Sequence, residues 1–205
     1  MRYPHYGPEG VLRIPHFMPA TFCGGLCEAA QSIPAASAEY ITPAGARHDD
    51  AVRRTNTIEA PAHMIDAYLK RLDRVRDELA KQFSCDLGEY EQPQVLAYGR
   101  GGHFSAHTDT SDEPGLPEYV RNRAMSLVLF LNSPSTARRD GTYGGGTLTF
   151  FNVSDTGMAS RCRVPVIGET GLLVAFPSDW LHCVTPVQHG RRWTLVTWIT
   201  RARLH

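Results

Sequence analysis

The sequence predicts an α+β fold, and three observations support this class. Apolar residues recur at helical spacing between Ala60 and Phe83, which is the clearest periodic stretch of the chain. From Gln94 onward the pattern changes to short apolar runs. These runs are separated by Gly, Pro and Asp, as expected for strands joined by turns. Helices that precede a series of strands favour α+β over an alternating α/β arrangement.

The length and composition fit one domain. A chain of 205 residues can bury a sizeable core, and 42% hydrophobic with 20% charged residues is ordinary for a globular protein. We therefore expect a single domain over residues 1–205. Residues 1–90 are predicted to form a mainly helical N-terminal support, and residues 94–200 a strand-rich core.

The N-terminal elements are predicted from apolar spacing and helix-end signals. Val11–Ile14 reads as a short strand, and a helix is expected to begin near Pro19 or Thr21, with Thr21 as the N-cap and Pro34 beyond its end. A further short strand is predicted at Glu39–Thr42.

The longest predicted helix is Ala60–Phe83, in which Pro61 suits the first helical position. Its apolar stripe should pack on the outside of a sheet and consists of Ile65, Leu69, Leu72, Leu79 and Phe83. The predicted strands that follow are Gln94–Tyr98, Ser126–Leu131, Thr147–Phe151, Arg163–Val166, Leu172–Phe176, His182–Val187 and Thr194–Thr200.

Charge and cysteine usage exclude some classes of function. The formal net charge is zero and no basic block occurs, so nucleic acid is not an expected partner. The chain has 5 cysteines, an odd number, and no Cys-x-x-Cys pair. This usage favours reduced thiols inside a cell. No apolar run has the length of a membrane span, and the N-terminus has no signal-peptide core. We expect a cytoplasmic chain without a membrane partner.

A His-x-Asp pair gives the first indication of chemistry. His107 and Asp109 are two positions apart, so on an extended segment their side chains point to the same face and can grip one ion. His182, after the apolar run Leu172–Phe176, is the best third ligand, because its rival His189 stands beside Gly190 in a predicted turn. Two histidines and one carboxylate form the facial triad of non-haem Fe(II) oxygenases.

The segments around this triad carry a family resemblance. Tyr98 leads into the His-x-Asp pair, Gly144–Phe150 reads Gly-Gly-Gly-Thr-Leu-Thr-Phe, and Arg192 stands ten residues after His182 and six before Trp198. Over Gln94–Thr200 the chain resembles the 2-oxoglutarate- and Fe(II)-dependent dioxygenases, in particular the prolyl 4-hydroxylase-like branch. The resemblance implies a double-stranded β-helix, a jelly-roll variant, with the N-terminal helices packed on one sheet and residues 94–200 as the catalytic core.

The resemblance also implies a cosubstrate site. The distal carboxylate of 2-oxoglutarate needs a fixed cation, which guanidinium supplies in a bidentate fashion. Strand alternation separates Arg191 from Arg192, and the family register selects Arg192. Thr194 shares the face of Arg192, Tyr98 aligns with a tyrosine that hydrogen-bonds the cosubstrate, and Thr147 is a pocket candidate. The second tyrosine of some relatives is replaced around Leu129.

The implied activity is hydroxylation of an unactivated C–H bond, with Fe(II) as cofactor, 2-oxoglutarate and O₂ as cosubstrates, and ascorbate as a candidate accessory reductant. Asp109 favours hydroxylation over halogenation, because halogenating relatives have Gly or Ala there. A prolyl or similar residue of a peptide is the implied substrate. The alternatives are a free amino acid, a natural-product small molecule, or a non-catalytic cupin-like metal-binding protein, which would have no use for Arg192. The oligomeric state stays undetermined.

Two loops flank the metal segments and are candidates for a substrate lid, Thr110–Arg123 and Ser133–Gly145. Their mixed charges suit a polar, peptide-like or amino-acid-like ligand. Arg54 matches an arginine that lies upstream in peptidyl hydroxylases, although Arg53 and Arg54 are equally compatible with a solvated surface. His103 fits either the pocket lining or the surface.

Overall fold

The computed structural model describes residues 5–6, 10–153 and 159–202, with side chains over 10–151 and 163–202. Its helices are α1 (Ala20–Gln31), α2 (Ala62–Asp73), α3 (Arg76–Phe83) and α4 (Glu118–Arg121). The strands before the predicted core are β1 (His5–Tyr6), β2 (Leu12–Ile14), β3 (Ala36–Ser37), β4 (Tyr40–Thr42), β5 (Gly45–Arg47), β6 (Arg53–Arg54), β7 (Asn56–Ile58) and β8 (Leu87–Tyr90). Those within it are β9 (Gln94–Tyr98), β10 (His103–His107), β11 (Arg123–Phe130), β12 (Tyr143–Gly145), β13 (Leu148–Val153), β14 (Ala159–Val166), β15 (Leu173–Pro177), β16 (His182–Val184), β17 (Val187–Gly190) and β18 (Arg192–Arg201).

Two antiparallel sheets form the body of the molecule. The major sheet has 9 strands in the order β1-β2-β15-β11-β18-β9-β7-β3, with β8 also paired to β18. The minor sheet has 5 strands in the order β14-β13-β16-β10-β6. Two smaller pairs, β4–β5 and β12–β17, stand at the edges. The longest strands of the major sheet, β11 and β18, pair with each other and fix its centre.

The alternation of side chains along the major sheet separates two cores. On β18, Trp193 and Leu195 belong to the core under the helices, whereas Val196 belongs to the core between the two sheets. Arg192 and Thr194 share the inward face with Val196 and line the interior cavity. The predicted assignment of these residues to opposite faces of the strand matches the structure.

The helices cover the outer face of the major sheet, as predicted. Cys23 and Leu26 of α1 and Ile65, Tyr68 and Leu72 of α2 are buried in the core that this face shares. The predicted helix Ala60–Phe83 is in fact two helices, because Val75 has non-helical dihedral angles (φ −117°, ψ 1°). The break lets Arg76 hydrogen-bond to the carbonyls of Leu87 and Gly88.

The N-terminal region contains more strands than predicted. Strands β2, β3 and β7 extend the major sheet, and β6 joins the minor sheet. Helix α1 begins at Ala20 after Pro19, so Thr21 lies inside the helix and is not its N-cap. In the described part of residues 1–90, short strands thus alternate with α1, α2 and α3, in addition to the helices that were predicted.

The predicted strands of the second half are all present, Gln94–Tyr98 with the predicted bounds and the others with shifted ends. The largest change concerns His182–Val187, which is divided between β16 and β17 by a non-strand step at residues 185–186. A short helix, α4, occupies part of the predicted loop Thr110–Arg123. In the part of the chain that the structure describes, no helix combines the length and apolar character needed to cross a membrane.

Candidate metal centre and its pocket

Three side chains from the minor sheet converge at one end of the cavity between the sheets. His107 ends β10 and is paired in register with His182, the first residue of β16. Asp109 follows β10 after one residue. Its Oδ1 lies 3.5 Å from His107 Nε2, and its Oδ2 lies 3.7 Å from His182 Nε2. One ligand atom from each residue can be chosen so that all lie within 4.8 Å of one another, which is close enough to hold one metal ion.

Backbone carbonyls orient both imidazoles. His107 Nδ1 lies 2.8 Å from the carbonyl oxygen of Ser105, and His182 Nδ1 lies 2.8 Å from that of Trp180. A carbonyl can only accept, so each Nδ1 carries the proton and each Nε2 keeps its lone pair for a metal. The His107 ring also stacks on Phe104, with 3.5 Å between ring centroids, which limits its rotation.

Asp109 is held by both its side chain and its main chain. The Ser126 hydroxyl donates to Asp109 Oδ2 at 2.6 Å. The amide of Asp109 donates to the carbonyl of Ser178 at 2.8 Å, and Arg123 Nη1 donates to the Asp109 carbonyl at 3.1 Å. Arg123 is itself fixed by Glu91, with Nε–Oε1 and Nη2–Oε2 distances of 2.6 and 2.7 Å. These contacts therefore fix the orientation of the carboxylate.

The protonation states of Asp109 and His182 suit a cation. Burial raises the pKa of Asp109, but His182, His107 and the Ser126 hydroxyl outweigh this effect and hold the pKa below its usual range. Burial and the neighbouring His107 lower the pKa of His182 to about 4. His182 is therefore neutral at pH 7, and at that pH the hydrogen-bond donors keep Asp109 ionised. A neutral imidazole and a carboxylate are the forms that bind metals.

The donor set fits Fe(II) better than a structural zinc ion. Two imidazoles and one carboxylate on one side leave the opposite face open toward the cavity, which is the arrangement of non-haem iron sites. A closed zinc site requires four protein ligands, and the described residues contribute only His107, Asp109 and His182 to this cluster.

The metal ligands open into a cavity of about 710 Å³. This volume lies within the usual range for small-molecule sites, roughly 300–1,000 Å³. Its inner wall is formed by inward-facing residues of the two sheets, namely Leu96, Tyr98, Val128, Leu148, Val184, Arg192, Thr194 and Val196. Its outer wall is more polar and includes Glu39, Thr42, Arg53, Glu91, Glu113 and Arg123. The cavity thus combines a mostly apolar interior with a polar entrance.

Arg192 is the most buried charged residue among those that line this cavity. Its side chain is 1% exposed, and its guanidinium carbon lies 5.0 Å from the ring centroids of both Tyr98 and Phe130. Nη1 lies 3.4 Å from the Thr194 hydroxyl, and Nε has no hydrogen-bond partner among the described residues. Arg191, in contrast, is exposed and lies over the outer face of Trp193. The structure places Arg192, Thr194 and Tyr98 together, as predicted from the sequence.

Tyr143 is a neighbour of Arg192 that the sequence did not reveal. It is 1% exposed, and burial raises its pKa, although Arg192 opposes the shift. Gly146 explains how the chain reaches this position. Its φ is +58°, and a Cβ there would lie 2.9 Å from Arg192 Cδ. The glycine run before Thr147 therefore allows the backbone to pass directly over the Arg192 side chain.

Arg53, rather than Arg54, enters the cavity. Arg53 pairs in register with Phe104 and is 9% exposed, whereas Arg54 pairs with His103 and is exposed. The Arg53 guanidinium carbon lies 4.7 Å from the Phe104 ring centroid, and Nη1 donates to the Glu39 carbonyl. Its Nε has no partner among the described residues, and burial lowers its pKa. Of the two arginines, only Arg53 is among the described residues that line the cavity.

Several predicted site residues lie elsewhere. Thr147 lines a separate groove on the outside of the barrel together with His189 and much of Ser133–Gly145, so this loop does not border the metal cavity. On β13 the cavity-facing residue is Leu148, one position from the predicted Thr147. Leu129 faces the helices. The ring nitrogens of His103 lie 3.1 and 3.2 Å from the Gly101 and Ala51 carbonyls, and His103 is not among the described residues that line the metal cavity.

The entrance is bordered by the predicted loop Thr110–Arg123 and by a segment that was not predicted. Leu116 and Tyr119 line the cavity on one side, and Tyr40–Pro43, around β4, lines it on the other. The two segments meet where a Cβ at Gly115 would lie 3.1 Å from Pro43 Cβ. The pairing of β4 with β5 in a short hairpin brings residues 40–43 to this entrance, and the sequence showed only a short strand there.

The sequence is similar to a family profile and to curated proteins. The profile of the 2OG-Fe(II) oxygenase superfamily matches residues 93–200. A PKHD-type hydroxylase of Klebsiella pneumoniae (strain 342) is 33% identical over 107 residues, which are 52% of this chain and 42% of that protein. The prolyl 4-hydroxylase subunit alpha-3 of Rattus norvegicus is 29% identical over 119 residues, 53% of this chain and 19% of that protein. The alignments thus cover less than half the length of these curated relatives.

Solved structures show the same fold. A Pseudomonas putida prolyl-4-hydroxylase has a TM-score of 0.68 at 22% identity, over 96% of this chain and 95% of that one. A prolyl hydroxylase from Trichoplax adhaerens, in complex with a hypoxia inducible factor peptide fragment, has a TM-score of 0.67 at 17% identity, over 95% and 84% of the chains. These likenesses confirm the predicted double-stranded β-helix. Because the superfamily profile covers more than half of the chain and includes the metal cluster and Arg192, the protein belongs to the 2OG-Fe(II) oxygenase superfamily.

Proposed function

We propose that the protein is an Fe(II)- and 2-oxoglutarate-dependent dioxygenase that hydroxylates an unactivated C–H bond. His107, Asp109 and His182 would hold the metal through the Nε2 atoms and the carboxylate. Arg192 and Tyr98 would hold the distal carboxylate of 2-oxoglutarate deeper in the same cavity. When bound, Fe(II) supplies the activation of O₂ that couples oxidative decarboxylation of 2-oxoglutarate to hydroxylation.

The observation that carries this proposal is the buried, unpaired guanidinium of Arg192. The ion pairs found among the described residues do not include it, although it is 1% exposed. A buried charge without a partner is unfavourable by several kcal/mol, so the site is suited to receive an anion. A cupin-like protein that only binds a metal has no requirement for this cation. A dicarboxylate that also reaches the metal ligands satisfies both ends of the cavity.

The protein's own residues orient the reactants and limit water. Tyr98 and Phe130 lie on the guanidinium of Arg192, so that its planar donors are aimed rather than free to rotate. Thr194 adds a hydroxyl at the same place. Apolar walls such as Val128 and Val196 restrict access of water to the inner cavity, which strengthens the electrostatic interactions there.

For the substrate we propose a prolyl residue in a peptide. The names of the rat relative and of the Pseudomonas putida structure refer to prolyl hydroxylases, and the cavity is open at an entrance lined by polar residues, as an extended chain requires. Arg53 supports a backbone carbonyl as ligand, because its Nε is buried, unpartnered and close to the metal ligands through Phe104 and His107. A free amino acid or a natural-product small molecule is the alternative substrate class.

The proposal is tested with the purified chain, Fe(II), 2-oxoglutarate and O₂. We expect succinate formation that is stimulated by proline-containing peptides and accompanied by a +16 Da product in mass spectrometry. His107→Ala, Asp109→Ala and His182→Ala should each abolish turnover, whereas His189→Ala should retain it. Metal-independent turnover, or activity that survives His182→Ala, would contradict the dioxygenase proposal. A product obtained only from a metabolite extract would replace the peptide substrate and leave the reaction type unchanged.

The remaining properties follow from the same proposal. A cytoplasmic location fits cysteines such as Cys23 and Cys85, which are free in the structure. The expected partners are the peptide or small-molecule substrate, with no nucleic acid and no membrane. Ascorbate would serve as an accessory reductant, and its effect is measured by adding it to the succinate assay.

A further inference from the structure

Two buried hydroxyls stand behind the metal-binding carboxylate. Ser126 on β11 is 1% exposed, and Ser178, just after β15, is 0% exposed. Their Oγ atoms are 2.9 Å apart, and Ser126 Oγ is 2.6 Å from Asp109 Oδ2. The carbonyl of Ser178 also accepts hydrogen bonds from the amides of Asp109 and Thr110, at 2.8 and 3.1 Å. Residues of the major sheet thus hydrogen-bond to Asp109, which follows strand β10 of the minor sheet.

The direction of these hydrogen bonds is determined by the carboxylate. Ser126 donates to Asp109 Oδ2 at 2.6 Å, so the single hydroxyl proton of Ser126 points to this oxygen. Ser126 then has only lone pairs to offer Ser178, and Ser178 is therefore the donor of the contact between the two hydroxyls. The result is a directed chain, Ser178 to Ser126 to Asp109, in which each hydrogen bond polarises the next.

We propose that Ser126, supported by Ser178, is a positioning residue that keeps Asp109 a monodentate ligand. This inference rests on the proposed function. The hydrogen bond occupies Oδ2 and leaves Oδ1, the oxygen nearer to His107, for the metal. If Asp109 bound through both oxygens, it would occupy a coordination position that 2-oxoglutarate or O₂ needs. Ser126 therefore protects an open position as well as orienting a ligand.

The test measures metal binding apart from turnover. Ser126→Ala should weaken Co(II) and Fe(II) binding by about 10- to 100-fold in anaerobic calorimetry, the usual effect of losing such a supporting hydrogen bond. The visible spectrum of the Co(II) form should change in intensity, since it reports the ligand number. The KM for 2-oxoglutarate should rise more than kcat falls. Ser178→Ala should give the same changes in smaller measure, because it acts only through Ser126.

Matched variants separate positioning from a general structural effect. Ser126→Thr retains the hydroxyl on a residue that borders the cavity and should restore metal affinity and the Co(II) spectrum. Ser133→Ala removes a similar hydroxyl pair, with Thr170 at 2.8 Å, from a loop outside the cavity and should leave both unchanged. Thermal unfolding of each metal-free variant shows whether it is folded.

The outcomes distinguish this inference from the proposed function. Wild-type metal affinity and an unaltered Co(II) spectrum in a folded Ser126→Ala protein would overturn the role of Ser126 and leave the dioxygenase proposal intact. An equal loss in Ser126→Thr would overturn it as well, because the hydroxyl would then not be the cause. A wild-type protein that binds neither Co(II) nor Fe(II) would contradict the proposed function itself.

Discussion

Each of the two sheets carries a pair of consecutive arginines, and the inward-facing arginines of the two pairs have different surroundings. Arg53 and Arg54 form β6 of the minor sheet, and Arg191 and Arg192 stand at the start of β18 of the major sheet. In each pair, strand alternation sends one guanidinium into the cavity and the other to the surface, with exposures of 9% for Arg53 and 1% for Arg192. Each inward Nε lacks a hydrogen-bond partner among the described residues.

The difference lies in what the rest of each guanidinium contacts. Arg192 lies between two aromatic rings, Tyr98 and Phe130, and its Nη1 has only a long 3.4 Å contact with Thr194. Arg53 lies on one ring, Phe104, and Nη1 is used on the Glu39 carbonyl. Arg192 thus keeps an unpartnered Nε in a buried, mostly apolar interior, beside the hydroxyl of Thr194, whereas Arg53 keeps an unpartnered Nε near the entrance. The first arrangement suits a carboxylate, and the second suits a neutral carbonyl.

The largest effect is expected at the inner arginine. Arg192→Ala should raise the 2-oxoglutarate requirement, measured as the KM for 2-oxoglutarate, by roughly 30-fold or more. Losing one partner of a buried charge pair costs about 2–5 kcal/mol. Arg192→Lys should recover only part of this loss, since an ammonium cannot supply the planar fork. The measurement is the 2-oxoglutarate concentration dependence of succinate formation at saturating Fe(II).

Arg191→Ala is the matched control for this variant. Arg191 is exposed and lies over the outer face of Trp193, so its removal should leave the 2-oxoglutarate requirement within about twofold, as for most surface substitutions. Similar losses in the Arg191 and Arg192 variants would contradict the division of the two faces of β18. Metal binding by calorimetry should be the same in both.

A smaller and different effect is expected at the entrance. Arg53→Ala should raise the KM for a peptide substrate roughly tenfold to a hundredfold, because a hydrogen bond from a charged donor contributes about 1.5–3 kcal/mol. Slow 2-oxoglutarate decay without substrate should persist, since the guanidinium of Arg53 lies on Phe104, whereas that of Arg192 lies beside Tyr98 and Phe130. The assay compares succinate formation with and without peptide over a range of peptide concentrations.

Arg54→Ala serves as the control for Arg53→Ala. Arg54 pairs with His103 on the exposed side of β6 and should have no effect on either rate. If Arg53→Ala raised the 2-oxoglutarate requirement as strongly as Arg192→Ala does, the separation into an inner anion site and an outer carbonyl site would be wrong. The same pair of variants therefore tests both the location and the chemistry assigned to Arg53.

The two pairs also show which parts of the site were predictable from sequence. β18 has 10 residues, so its alternation is visible over several positions and correctly separates Arg191 from Arg192. β6 has 2 residues, and the side that each arginine takes depends on its pairing with β10, which lies about fifty positions further along the chain. A short strand contains too little periodicity to reveal its inward face, so the sequence left Arg53 and Arg54 undecided.

Local spacing explains why the metal ligands were easier to predict than their supports. His107 and Asp109 are close in sequence, and their shared direction follows from strand geometry alone. Ser126 and Tyr143 reach the site only through tertiary contacts, with Asp109 and Arg192 respectively. Neither residue belongs to a pattern that the sequence could reveal, because a single buried hydroxyl has the same appearance in any strand or loop.

The smallest effect is expected at two threonines that the sequence treated alike. Thr194 is fully buried beside Arg192. Thr147 directly precedes Leu148, the cavity-facing residue of β13, and borders the outer groove. Thr194→Val keeps the shape but removes the hydroxyl. It should raise the 2-oxoglutarate requirement roughly two- to tenfold, because a neutral hydrogen bond contributes about 0.5–1.5 kcal/mol.

Thr147→Val removes a hydroxyl from a residue whose amide, and not its side chain, is hydrogen-bonded to Thr185. Its 2-oxoglutarate requirement should match that of the wild type, measured by the same succinate titration that reports on Thr194→Val. A rise for Thr147→Val with none for Thr194→Val would mean that the cosubstrate approaches from the outer groove. Arg192 would then be a structural cation held by Tyr98 and Phe130, and the inner cavity would belong to the substrate alone.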